Sequence, residues 1–157
     1  MNKKMIIYFS YTGNTKSIAE MIQRELNCDI LRIETEVPYS DDYDAVVSQG
    51  QDEVNAGYKP KLKPINVDLS KYDTVILGTP VWWYTYAPAI NTFITENNLS
   101  DKTIIPFITN GGWLGHTVED IKSATGANVI NPISIKFNTS DLSTNIKDIK
   151  EWINSLK

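Results

Sequence analysis

The chain predicts an α/β protein in which a parallel sheet is covered by helices on both faces. Three observations carry that expectation. Short apolar runs suited to buried strands alternate with amphipathic helical patterns along the whole length. The run at 74–78, Thr-Val-Ile-Leu-Gly, is β-branched and aliphatic throughout, as a central parallel strand should be. Three loops with unusual side chains, at 10–15, 79–86 and 110–116, each follow a predicted strand. Ligands of open α/β sheets bind at that carboxyl edge.

Taken in order, residues 5–9 form the first strand and residues 17–26 the first helix. Cys28 packs where that helix meets a second strand at 29–33, whose alternating pattern suits a less buried face. Acidic residues then accumulate, with no Lys or Arg between Arg32 and Lys59. Tyr43, Val46, Val47, Gly50 and Val54 fall at helical spacing there, so a helix is expected over 41–56, capped by Ser40 and ended by Gly57. Its acidic side reads as a solvated face, with a docking face for a basic partner as the alternative. Pro60 and Pro64 mark an extended connection, and 68–72 a turn into the third strand at 74–78. Pro88 opens the next helix, with Ile90, Phe93 and Ile94 inward. The fourth strand covers 103–109, and Pro106 within it predicts an irregularity. A short helix at 117–124 ends at Gly126, and the last strand involves 128–130 and 133–135. Leu142, Ile146, Ile149, Ile153 and Leu156 space out a closing helix.

At 157 residues the chain is expected to be one domain over 1–157, a length that buries roughly 70% of the unfolded surface. A net charge of -4 argues against a nucleic-acid partner. A single cysteine forms no internal disulfide. Met1, Asn2, Lys3 and Lys4 lead into only five apolar residues, too few for a signal peptide, and no run nears the roughly 20 residues of a membrane helix. The expectation is a cytoplasmic monomer without membrane contact.

The first loop is Ser10-Tyr11-Thr12-Gly13-Asn14-Thr15. Between a strand and a helix start, it meets N–H groups with no intrahelical partner and the positive end of the helix dipole. Ser10, Thr12 and Thr15 add hydroxyls, Gly13 permits a tight turn, and Asn14 adds an amide. With no Lys or Arg in it, the loop suits a phosphate held by neutral donors; ordinary Ser/Thr capping is the alternative. A Walker loop would need a lysine and a Rossmann loop more glycines. The second loop runs Thr79, Pro80, Val81, Trp82, Trp83, Tyr84, Thr85, Tyr86. Its aromatics suit stacking on a flat ligand, with one of the adjacent tryptophans expected to pack instead. Which of Trp82 and Trp83 stacks stays open. In the third loop, Asn110, Gly111, Gly112 and Gly115 suit close backbone approach, and Trp113 is placed to cover a ring. His116 reads as a cap or surface group, since no acid or nucleophile partner is evident and no catalytic residue is assigned. One histidine and one cysteine do not make an ordinary zinc site. Together the loops describe a phosphorylated planar ligand of mononucleotide size.

At these residues the chain resembles the flavodoxin family. The hexapeptide at 10–15 matches its Ser/Thr-x-Thr-Gly-x-Thr phosphate loop directly after the first strand. Gly78-Thr79-Pro80-Val81-Trp82-Trp83 and Thr109-Asn110-Gly111-Gly112 look like the second and third loops of a flavodoxin-like bacterial branch. The resemblance implies a three-layer α/β/α sandwich around a five-stranded parallel sheet of order 2-1-3-4-5, and non-covalent FMN. Carried over by position, Ser10, Thr12, Gly13, Asn14 and Thr15 hold the phosphate. Thr79, Pro80, Val81, Trp82, Trp83, Tyr84, Asn110, Gly111 and Gly112 flank the isoalloxazine. The implied role is electron transfer, cycling between oxidised, semiquinone and reduced flavin, with a flavodoxin reductase and an acceptor as partners. The alternatives are an NAD(P)H-dependent FMN oxidoreductase acting on quinones or similar small acceptors, and a flavin-free binding module. Long-studied carrier flavodoxins usually have acidic second and third loops; here 78–86 and 109–116 contain no Asp or Glu.

Overall fold

The computed structural model describes residues 3–157. Met1 and Asn2, which began the leader reading, lie outside the described residues. Strand β1 (Lys4–Tyr8) is followed by α1 (Asn14–Leu26), β2 (Asp29–Arg32) and α2 (Tyr43–Ala56). Then come β3 (Thr74–Trp82), β4 (Thr85–Tyr86), α3 (Pro88–Glu96), β5 (Thr103–Asn110) and α4 (Thr117–Thr125). The chain closes with β6 (Asn128–Val129), β7 (Ile133–Asn138), β8 (Asp141–Leu142) and α5 (Ile146–Ser155).

The α/β architecture is as expected, but the simple five-stranded 2-1-3-4-5 sheet is corrected. The sheet has eight strands in mixed order, with the path β2-β1-β3-β5-β7-β8, β4 paired to β3 and β6 paired to β5. The additions have identifiable causes. Strand β3 does not stop at Gly78; it continues to Trp82 and turns back, so that Val81 pairs with Tyr86 and Trp82 with Thr85, antiparallel. Strand β8 likewise folds back on β7. The last predicted strand is divided in two. β6 pairs with Thr103 and Ile104, and β7 with residues from Phe107 onward. Pro106, which has no N–H to give a ladder, lies opposite the gap between them. The irregularity expected in β5 thus appears in its neighbour.

Alternation along the strands divides the core between two faces. Met5, Ile7, Val75, Leu77 and Ile104 pack with Ile90, Phe93 and Ile94 of α3 and Ile121 of α4. Ile6, Tyr8, Ile76, Ile105 and Phe107 pack with Ile18 and Ile22 of α1 and with Ile149, Trp152 and Ile153 of α5. Element ends shift where local hydrogen bonds outrank periodicity. Helix α1 starts at Asn14, three residues earlier than expected. Helix α2 starts after Asp42, and the Ser40 hydroxyl accepts from the Asp42 N–H at 3.0 Å just outside it. Helix α5 starts only after Asn145, whose side chain accepts from the Lys147 N–H, so Leu142 belongs to β8 and not to the helix.

Gly78 leaves room for the ring of Phe107, its register partner on β5. A Cβ placed there would stand 2.2 Å from the Phe107 ring. Gly78→Ala should therefore destabilise the protein by about 1–3 kcal/mol in urea unfolding, as overpacked cores do, and Phe107→Leu should recover part of the loss in the double variant.

Candidate functional site

The first loop leaves the end of β1 and enters α1 without a side-chain cap. Gly13 occupies the N-cap position at φ 101°, so the first N–H groups of α1 stay open toward the sheet's carboxyl edge. The Ser10 hydroxyl accepts from the Gly13 N–H at 3.1 Å, which leaves its own proton to donate. Thr15 is buried, and its hydroxyl meets that of Thr109 at 2.7 Å, tying the helix start to the end of β5. The Asn14 amide donates to the Thr139 carbonyl at 2.8 Å. Thr12 is exposed. Of the predicted donors, Thr12 and the backbone are the freest, while Asn14 and Thr15 are engaged in holding the loop.

The second loop is mostly strand. Thr79, Pro80, Val81 and Trp82 belong to β3, and only Trp83 and Tyr84 form the turn of a two-residue hairpin. Both have positive φ, 49° and 74°, where Asn-Gly would be usual. Each such non-glycine residue costs on the order of 1–2 kcal/mol. The third loop holds this turn in place. The His116 N–H donates to the Tyr84 carbonyl at 2.8 Å. A Cβ on Gly115 would sit 2.2 Å from that carbonyl oxygen, so only glycine permits the contact. Thr85 donates to Asp120 Oδ2 at 2.5 Å, and His116 Nδ1 bonds the same oxygen. At the base of the hairpin the Thr79 hydroxyl accepts from the Ala87 N–H at 3.1 Å.

The adjacent tryptophans part company. Trp82 sits edge-on among Phe9, Tyr11 and Tyr39, with centroids 5.7, 6.0 and 5.0 Å away. Tyr39 is fixed in turn by donating to Glu53 at 2.7 Å, and burial together with that carboxylate pushes its phenol above the ordinary range, so it keeps its proton. Trp83 instead donates its indole N–H to the Val47 carbonyl of α2 at 2.9 Å. Tyr84 and Trp113 lie 5.2 Å apart at the rim, 50% and 65% exposed. In the third loop, Asn110 accepts from the Gly112 N–H at 2.9 Å and donates to Ser134, so its side chain shapes the loop, while Gly111 is open.

Two cavities result, one on each side of Trp83. The first, about 370 Å³, runs from Tyr11, Thr12 and Thr15 past Pro80, Val81 and both tryptophans, under Tyr43, Val46, Val47 and Gly50 of α2. The second, about 430 Å³, lies between Val81, Trp83 and Tyr84 on one side and Gly111, Gly112 and Trp113 on the other. No Asp, Glu, Lys or Arg lines either. The arrangement offers neutral donors at one end and aromatic or glycine walls beyond. Sequence reasoning assigned the acidic side of α2 to solvent and placed its apolar positions at helical spacing, but it did not place Tyr43, Val46, Val47 and Gly50 over the site. Gly50 was the available signal: a Cβ there would stand 3.3 Å from the Trp82 ring.

The flavodoxin family model matches residues 3–156, and the chain belongs to that family. Among solved structures, a candidate flavoprotein from Bacteroides eggerthii DSM 20697 is 28% identical with TM-score 0.82, covering 99% of this chain and 98% of that one. A second, from Bacteroides uniformis ATCC 8492, is 25% identical with TM-score 0.83 and 98% coverage of both chains. A flavoprotein from Lactobacillus acidophilus NCFM, solved in complex with FMN, shares the fold at 22% identity and TM-score 0.76, covering 97% of this chain and 99% of that one. A search of curated protein sequences returned no significant match. Among the described residues no helix is long and apolar enough to cross a membrane.

The strained turn yields opposed effects for two substitutions. Tyr84→Gly should leave the ligand-free protein at least as stable to urea, by up to about 1 kcal/mol, because glycine accepts the positive φ. Gly115→Ala should cost about 1–3 kcal/mol by driving a methyl into the Tyr84 carbonyl.

Proposed function

We propose that the chain binds FMN non-covalently and carries electrons between redox proteins in the cytoplasm. The observation that carries this reading is an uncapped start of α1 on the same carboxyl edge of the sheet as an aromatic- and glycine-walled space without formal charge. A phosphate there accepts hydrogen bonds from backbone N–H groups at the positive end of the helix dipole. Ser10, Thr12 and the backbone N–H groups of Asn14 and Thr15 would hold it. Val81, Trp83, Tyr84, Gly111, Gly112 and Trp113 would bound the ring. Bound FMN accepts and donates electrons singly or in pairs. The protein's own part is to orient the ring, exclude water from its faces and leave an edge accessible. The likeness in fold to the Lactobacillus acidophilus flavoprotein with FMN supports the choice of ligand.

The carrier role rests on the exposed rim at Tyr84 and Trp113, which leaves the site open to another protein. A flavodoxin reductase would supply electrons and an acceptor protein would take them.

The test is an absorbance spectrum of the protein after adding FMN and then NADPH, without oxygen. A flavin band that shifts on binding and stays yellow until a reductase is added is the expected result. Rapid bleaching by NADPH alone would make the protein an NAD(P)H-dependent FMN oxidoreductase acting on quinones or similar acceptors. Absence of FMN binding would leave a flavin-free binding module.

A further inference from the structure

The β7–β8 hairpin stands beside the site. At its turn Thr139, at φ 57°, accepts from the Asn14 amide of the phosphate loop. Three residues back, in β7, Lys136 pairs in register with Asn110, at the start of the third loop. Ile135 and Phe137 point into the core against α1 and α5, so Lys136 points to the opposite face by the alternation of a strand. There its stem passes Gly112: a Cβ on that glycine would lie 3.7 Å from Lys136 Cε and 3.9 Å from Nζ.

This places an ammonium beside a residue that bounds the second cavity. The backbone anchors the stem, since the Lys136 N–H donates to the Thr144 hydroxyl at 2.7 Å and its carbonyl accepts from the Ser143 N–H at 2.8 Å. The ion pairs among the described residues involve Lys61, Lys63 and His116, not Lys136. The loops contain no acid at 78–86 or 109–116. The acid packed against them, Asp120, is engaged by Thr85 and His116.

We propose that Lys136 tunes the potential of the bound ring by favouring its reduced, anionic form. The proposal rests on the FMN reading. Reduction of the ring by two electrons with uptake of one proton leaves one negative charge on it, and a second proton would neutralise it. The electrons come from a reductase in the proposed function and from dithionite in the test. A nearby cation favours the singly protonated product over both the neutral product and the oxidised ring.

The experiment measures the affinity of the protein for oxidised FMN and, under dithionite without oxygen, for reduced FMN. Wild type, Lys136→Met and Lys136→Arg are compared. Lys136→Met should weaken reduced FMN about tenfold relative to oxidised FMN, equivalent to about 30 mV in the two-electron potential, while Lys136→Arg stays near wild type. An unchanged ratio in Lys136→Met, including an equal loss of both affinities, overturns the proposal and leaves FMN binding intact. Failure of the wild type to bind FMN overturns both.

Discussion

The start of α1 is the feature on which the site depends. Gly13 turns the chain into the helix at positive φ and supplies no side-chain cap. A helix end left open in this way needs water or a ligand to satisfy its N–H groups. The surrounding bonds keep it from collapsing. Thr15 is tied to Thr109, Asn14 to Thr139, and the Arg32 guanidinium reaches the Ser10 carbonyl from behind at 3.4 Å. Positive charge thus supports the loop's backbone without entering the loop, and the contact offered to an anion is made by neutral dipoles.

A second constraint acts beside it. The turn at Trp83 and Tyr84 is conformationally unfavourable, and it persists because three elements grip it. Helix α2 takes the Trp83 indole, the third loop takes the Tyr84 carbonyl, and α4 takes Thr85 through Asp120. Such strain is sustained only where surrounding structure over-determines it, and it is commonest at functional sites. Here it directs two neighbouring indoles to different tasks. Trp82 closes the aromatic cluster over β1, and Trp83 stands as the partition between two cavities.

Much of this was legible in the chain. The alternation of elements, the uncapped strand–loop–helix at 10–15 and the convergence of three loops follow from patterns of short range. The adjacency of Trp82 and Trp83 predicted that one would pack, and Trp82 packs in the aromatic cluster with Phe9, Tyr11 and Tyr39. What could not be read depends on partners distant in sequence. Trp83 and Tyr84 carry no turn signature, because their conformation is imposed by Gly115, His116 and Val47. Leu142 falls at helical spacing from Ile146, yet the Asn145 cap starts the helix after it and pairing with Phe137 makes it strand. The acidic face of α2 was read as solvated and most of the helix is exposed, but that Val46 and Gly50 roof a cavity could not be read, because that cavity is made by residues some thirty positions away. Pro106 announced a break in the sheet, but pairing alone determined which strand would carry it.

The central claim, that neutral donors at the start of α1 hold a phosphate while the aromatic loops hold a ring, is tested most directly by comparing FMN with riboflavin at low and high salt. Two charge-assisted hydrogen bonds from backbone N–H groups predict FMN to bind at least about a hundredfold more tightly than riboflavin. With no Lys or Arg in the loop, that preference should change by less than about threefold between dilute and roughly 0.5 M salt. Equal affinity for the two ligands, or a preference that vanishes in salt, would contradict the account.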